Sequence, residues 1–387
     1  MRYHQGYSLP GITTWLFATA NPSVPQRITF QIPRNFEVAS ALRQHPEGGY
    51  QTSDYQSLLD SPLHIGRFQT LEFQAIGRTY RVHLTGFERD RTDRKKLQAE
   101  LTKIAVSQHH SLGPRGTSPY VYLFGRSTGV RTVRGYRSSS EVLTHSLQSS
   151  YAQLLNISRA HAQSWFHPLH SHGLQQPPNG ATSWFLQGVV EYFAELSLVR
   201  AGLHNAQTYW TTGIATHINK LQRDKRRLTV SVQDSGARLY QQGTKRLPAG
   251  PDPLTKGLLV GLLLDIDIRA RTLNTRSLDT VLQSLTKRGA AVDNKIISQA
   301  CAETLGKSLS SFFKAFVQGT TELPLQEFLA RAGIEAQPKS VKPGTASNPR
   351  MPKTARTRSP RWSVQWVKKT SDAARHVRTQ MTKIVAK

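Results

Sequence analysis

The segment "WFLQGVVEYFAELSLVRAGL", Trp184 to Leu203, decides how this chain is read. Its spacing predicts a helix over residues 183–201, with Trp184, Phe185, Tyr192 and Phe193 at packing positions. Gly202 follows Arg200 closely and closes the helix, because glycine accepts the left-handed backbone that a helix end favours. Glu191 stands four residues after Gln187, so the two share a helical face, and Glu195 is the next carboxylate.

Working outward, the stretch before this helix is "SRAHAQSWFHPLHSHG", Ser158 to Gly173. It ends a helix expected over 139–166, since Pro168 cannot continue it. After it come helical patterns at 205–222, 254–271, 277–287, 293–303 and 308–317. "SLDTVLQSL" opens with a serine N-cap and an aspartate in the first turn. Toward the N-terminus, Leu97, Leu101, Ile104 and Ala105 give one more helix, followed by a short strand, "PYVYLFG". Residues 12–88 read as β, in β-branched and aromatic runs divided by Pro, Gly, Asn and Asp. The expected class is α+β: an N-terminal β-sheet or partial sandwich (1–90), then a mostly helical domain (91–336).

Beyond Ala336 the composition shifts to Pro, Ser, Thr and cations, with thirteen Lys/Arg and one Asp over 337–387. Such a segment buries too little apolar area to offset ordering entropy, so a disordered basic tail is expected. Its last part could form a basic helix with an apolar stripe at Val364, Val367, Ala374, Val377, Met381 and Ile384. The whole chain carries 51 Lys+Arg against 24 Asp+Glu, a field that attracts polyanions or acidic surfaces. Lys353, Arg356, Arg358, Arg361, Lys368 and Lys369, with Trp362 and Trp366 interleaved, are the candidate contacts to nucleic acid or anionic membrane.

The single cysteine, Cys301, excludes an internal disulfide and reads as a core residue. No run reaches the roughly 18 apolar residues of a membrane span. "LPGITTWLFATA" (Leu9–Ala20) has a faint secretory look but reads as a strand, and a cytoplasmic location is favoured over secretion.

Four separated phrases then converge. "YQSLLDSPLHIG" (Tyr55–Gly66), the Trp184 helix, "TKGLLVGLLLDIDIRARTLNTRSLDTVLQSL" (Thr255–Leu285) and "FFKAFVQGTTELPLQEFLARAGIE" (Phe312–Glu335) occur in the order found in one family. Over about residues 12–336 the chain resembles the glycyl aminopeptidases, thermolysin-like zinc metallopeptidases of the gluzincin type that often carry a PDZ domain. The resemblance implies an N-terminal β domain with more strands than are read here. It also implies a PDZ domain where the basic run stands.

The resemblance also implies a His-Glu-x-x-His helix, a third ligand from a later glutamate, and zinc. The matching positions are substituted. Arg159 and Gln163 stand for the two histidines, Ala160 for the general base, and Gln187 for the glutamate. Gly135 stands where the family binds the substrate's amino end, and Leu254 where it has a tyrosine that stabilises the tetrahedral intermediate. Neutral amides bind zinc poorly, and an arginine repels it. Catalytic and metal residues are therefore not expected at these positions, and no cofactor is expected unless the family activity persists through zinc.

The histidines keep an alternative open. His167, His170 and His172 could form a relocated zinc site; the plainer reading is solvent-facing and loop histidines, His161 included. Glu191 is expected to make a structural ion pair with Arg159 beside a relic substrate cleft. Three functions stay in view. One is an inactive pseudoenzyme that at most binds a peptide, another an active aminopeptidase with a moved metal, the third a polyanion binder acting through its tail.

Overall fold

The computed structural model describes residues 2–3, 6–10, 15, 23–88, 91–116, 118–129, 131–169, 180–240, 250–339, 361–367 and 370–385. The fold is α+β, an N-terminal β-sheet region followed by a largely helical part. Two small antiparallel sheets make up the first part. One is ordered β1 (Arg2–Tyr3), β2 (Gly6–Leu9), β7 (Leu63–Gly66), β4 (Glu37–Ser40), and the other β3 (Gln26–Ile28), β6 (Tyr50–Thr52), β5 (Arg43–Gln44). Leu42, Tyr55, Leu58 and Leu63 fill the space between them. A short helix, α1 (Tyr55–Leu59), is capped by Asp54, whose Oδ1 accepts the Ser57 N–H at 2.6 Å. Asp60 closes this helix. The strand expected across Leu9–Ala20 falls, apart from Leu9, Pro10 and Trp15, outside the described residues.

The hairpin β8 (Gln69–Ala75) and β9 (Arg78–Thr85) was expected within the N-terminal β region. It instead opens a five-stranded sheet ordered β11 (Thr132–Gly135), β12 (Ser139–Thr144), β10 (Tyr120–Arg126), β9, β8. β10 runs parallel to both β9 and β12, and helix α2 (Arg91–Leu112) makes the crossover from β9 to β10. A strand covered on both faces has no polar side to show, which is why β10 reads as an unbroken apolar run. Residues 139–144, expected as helix, form β12; its ladders to β10 and β11 override the local helical spacing.

The helical part follows as α3 (Tyr151–Phe166), α4 (Val190–Arg200), α5 (Ala206–Thr208), α6 (Ala215–Arg223), α7 (Val232–Tyr240), α8 (Pro253–Arg271), α9 (Leu278–Arg288), α10 (Asn294–Leu305), α11 (Ser310–Phe316) and α12 (Leu325–Ala330). π-helical turns at Trp184–Val189 and Tyr209–Ile214 lead into α4 and α6. The core lies around α8, whose residues Leu258–Leu264 are all buried. Trp184, Phe185, Tyr192, Phe193, Leu264, Ile268 and Leu278 pack there as their spacing predicts, and so does Cys301, whose thiol burial pushes up to about 12. Asp265 ties three helices together. It accepts the Tyr192 hydroxyl at 2.6 Å, the Leu278 N–H at 2.8 Å and the Arg269 Nε–H at 3.0 Å.

One backbone crossing sets the geometry of the site. A Cβ on Gly188 would lie 2.5 Å from the Gly257 Cα, and one on Gly257 would lie 2.0 Å from the Trp184 carbonyl oxygen. The π-helical turn and the first turn of α8 therefore touch main chain to main chain, which sets Gln187 beside Leu254.

The C-terminal region departs from the expected disordered tail. β14 (Arg361–Trp366) pairs antiparallel with β13 (Ile334–Lys339), and α13 (Asp372–Met381) packs on the helical core. Trp362 N–H donates to Asn219 Oδ1 at 2.8 Å, and Asn219 Nδ2 donates back to the Trp362 carbonyl at 2.9 Å. Arg378 donates to the Gly333 carbonyl at 2.8 Å and lies 4.5 Å from the centroid of the Trp366 ring. Of the expected apolar stripe, Val364, Ala374, Val377 and Met381 are buried, whereas Ile384 is exposed. Composition understated this region because Val364, Ala374, Val377 and Met381 fall on the faces that pack. Met381→Ala should therefore cost about 2–4 kcal/mol in urea unfolding, as a buried methionine truncation does. A cost near zero would restore the picture of a loose tail.

Candidate functional site

Helix α3, the π-helical turn, the start of α8, the edge strand β11 and α1 enclose a cleft of about 630 Å³. Arg159, Gln163, Gln187, Leu254 and Gly135 all line it. Residues from four separate parts of the sequence thus face one space.

Arg159 is held in place along its wall. Its Nη2 donates to Glu191 Oε1 at 2.6 Å, its Nε donates to Glu191 Oε2, and its Nη1 donates to Asn156 Oδ1 at 2.8 Å. The two parallel bonds match the planar guanidinium fork to the carboxylate. The Glu191 side chain is only 4% exposed, so this pairing keeps a charge from being stranded in the interior. The expected Arg159–Glu191 ion pair is present.

On another side of the cleft, His167 Nε2 lies 2.7 Å from Asp60 Oδ1, and Asp60 Oδ2 accepts the Arg137 N–H at 2.9 Å. The carboxylate comes from the N-terminal region, so this pair ties that region to the helical domain across the cleft. Asp60 carried no role in the sequence reading; no periodicity marks it, and only the phrase around it stood out.

His161 corrects an expectation. It is fully buried, not solvent-facing, and is surrounded by Tyr80, Tyr120, Tyr122 and Trp165. Gln108 donates through Nε2 to the Ser158 carbonyl at 2.8 Å, which turns its Oε1 toward His161 Nδ1, also 2.8 Å away. The Nδ1–H is then the donor. Burial, with Arg78 and Arg115 nearby, holds this imidazole well below its usual range, so it is neutral. His170 and His172 lie outside the described residues. Lys256 faces the interior and does not line the cleft; burial pulls its amine down to about 8.

The residues present do not fit a catalytic zinc. The positions that converge offer a guanidinium already engaged by a carboxylate and two neutral amides. Among the described residues no group of three His, Cys, Asp or Glu is placed to hold a metal ion. Ala160 is buried, and its carbonyl oxygen would be 2.2 Å from a Cβ on Gly135. Helix α3 and strand β11 thus approach closely at Gly135, which leaves no room there for a side chain.

Beside the cleft, Glu141 on β12 joins the edge strand to the N-terminal sheet. His64 Nε2 lies 3.0 Å from its Oε1, the Ser8 hydroxyl donates to the same oxygen, and Arg134 Nη1 donates to Oε2 at 3.1 Å. Burial would raise this carboxyl, but the hydrogen bond and charge of His64, the Ser8 bond and Arg134 outweigh it and hold it at about 2. A carboxyl lowered on folding contributes stability that is present above its unfolded value of 4.5 and is lost as pH falls toward about 2. The shift corresponds to roughly 3 kcal/mol. In Glu141→Gln, the fall in melting temperature between these limits should flatten relative to the unaltered protein. Parallel acid limbs in the two proteins would show that Glu141 is not the group responsible.

The comparisons with known proteins agree with this architecture. Residues 4–67 match the Peptidase M61 N-terminal domain and residues 142–253 the M61 glycyl aminopeptidase family. The aminopeptidase N family protein from Idiomarina loihiensis superposes with a TM-score of 0.74 at 19% identity, over 83% of this chain and 60% of that one. The chain thus spans less than two thirds of that relative's length. Yeast LTA4 hydrolase in complex with bestatin gives a TM-score of 0.50 at 14% identity, over 81% of this chain and 51% of that one. The M1 zinc metallopeptidase from Deinococcus radiodurans gives 0.46 at 15% identity, over 76% and 63%. A search of curated proteins by sequence returns no match.

Proposed function

We propose that this chain, which carries the M61 glycyl aminopeptidase family fold, is a catalytically inactive member whose cleft binds an extended peptide without cutting it. The observation that carries the reading is the Arg159–Glu191 pair, whose arginine lines the cleft together with Gln163 and Gln187. A guanidinium held there by two hydrogen bonds repels a divalent cation, and neither amide supplies the charge that zinc ligands bring. Without a metal there is no activated water, and no carboxylate at Ala160 stands ready to take its proton. Leu254 offers no hydroxyl to a developing oxyanion. What remains is a groove with an exposed sheet edge, amide side chains and an apolar wall, which suits a peptide backbone.

The test pairs two measurements on the full chain. Glycyl-peptide hydrolysis with added zinc should stay at the buffer background. Titration calorimetry with short glycyl peptides should show binding that Gln187→Trp, which fills the cleft, abolishes. Zinc-dependent turnover would sink the inactive reading, and heats unchanged by Gln187→Trp would sink the peptide-binding one.

A further inference from the structure

Helix α6 and strand β14 meet at a second recess, of about 630 Å³, away from the cleft. Lys220, Arg223, Arg226 and Arg361 line it, with Asp224 as the one carboxylate among its lining residues. Arg226 holds both Asp224 oxygens, Nε to Oδ1 and Nη2 to Oδ2, each at 2.8 Å. Lys220 is paired with Asp252 at 2.6 Å. Arg223 and Arg361 make no ion pair among the described residues, and both are exposed. Local sequence does not put them together. Arg361 is brought to α6 by the reciprocal hydrogen bonds between Asn219 and the Trp362 main chain.

We propose that this recess is a binding site for phosphoryl groups, carried either by a nucleic-acid backbone or by a free oligophosphate. Backbone pairing places Arg361 at the recess that Arg223 lines, among cations that outnumber the carboxylates there. An anion that enters relieves their mutual repulsion. The guanidinium fork matches phosphate oxygens in pairs, and phosphate brings the density of negative charge that two uncommitted arginines can neutralise. The site uses residues distinct from the cleft, so it stands whether or not the cleft binds peptide. It also differs from binding by a loose tail. Arg361 projects from a paired strand, and it reaches the recess only because β14 is docked.

The test is fluorescence anisotropy of a short labelled single-stranded oligonucleotide on the full chain across a salt series, with inorganic tripolyphosphate as competitor. Arg223→Gln/Arg361→Gln should weaken oligonucleotide binding at least about tenfold at moderate salt. It should also lower the slope of log K against log salt by about 1.4, at ~0.7 per lost single-strand phosphate contact. A charge-matched pair on the exposed face of α2, Lys95→Gln/Lys103→Gln, should change neither quantity appreciably. Arg223→Lys/Arg361→Lys should retain most of the binding, which separates lost charge from a lost fold. Tripolyphosphate that competes far more weakly than unlabelled oligonucleotide would identify the backbone as the carrier; competition at equal phosphate would identify the free anion. Absence of oligonucleotide binding, equal losses in the two glutamine pairs, or no competition at all by tripolyphosphate would overturn the proposal.

Discussion

The triple substitution Arg159→His/Gln163→His/Gln187→Glu should bind about one zinc per chain and still fail to hydrolyse a peptide, whereas the unaltered protein should bind none in stoichiometric amount. The three positions already face one cleft, so imidazole and carboxylate donors placed there converge on a common point. Glu191, freed from the guanidinium, then becomes available to accept a hydrogen bond from the imidazole introduced at 159, the kind of support that fixes a ligating ring. Catalysis should not follow, because position 160 still carries no carboxylate to take the proton of a metal-bound water. Ala160 is buried, and its carbonyl sits against Gly135 where a Cβ would come within 2.2 Å. Adding Ala160→Glu or Gly135→Glu should therefore lower the melting temperature instead of restoring turnover. Metal content by mass spectrometry, read beside circular dichroism, decides the matter. Stoichiometric zinc in the unaltered chain would revive an active site built elsewhere. A folded triple variant that refuses zinc would mean that the three positions do not converge.

The second large effect is on stability. Arg159→Ala should cost about 3 kcal/mol, toward the low end of the range for breaking a buried pair because the arginine side chain is 30% exposed. The mechanism is asymmetric. Truncating Arg159 strands the carboxylate of Glu191 in the interior, whereas Glu191→Ala leaves a guanidinium that can still turn toward water. Glu191→Ala should therefore cost clearly less, and Arg159→Met/Glu191→Leu, which removes both charges and keeps the volume, should come close to neutral. Urea titrations of the two single variants and the double variant give the comparison. Equal costs for the two single changes would show that the asymmetry, and with it the role of Arg159 as a charge partner, is wrong.

The contrast between cleft and C-terminus shows where sequence reading carried and where it stopped. The Trp184 segment, the long helix from Pro253 and the helices at 278–288 and 294–305 were legible because helical periodicity is a local property of consecutive side chains. The same spacing misled at 139–144, where two flanking strands imposed a ladder on residues with no strong preference of their own. The Arg159–Glu191 pair was legible because a family phrase placed both residues beside one cleft. Asp60 with His167, and Gln108 with His161, were not, since no spacing relates a helix-capping aspartate to a histidine 107 residues later.

The sequence by itself determined the side-chain chemistry available to the cleft. Side-chain type is fixed by the residue, so guanidinium, methyl, amide and isobutyl groups are what Arg159, Ala160, Gln163, Gln187 and Leu254 bring to any site they share, and the proposal of an inactive cleft rests on them. Only the tertiary structure decided that Gly135, Arg159, Gln163, Gln187 and Leu254 share one cleft, that the Ala160 carbonyl of α3 sits against Gly135 of β11, and that residues 361–366 and 372–381 are part of the fold. Each of those facts rests on contacts between segments far apart in the chain, made by hydrogen bonds and buried faces. Composition counts such groups, but it does not place them.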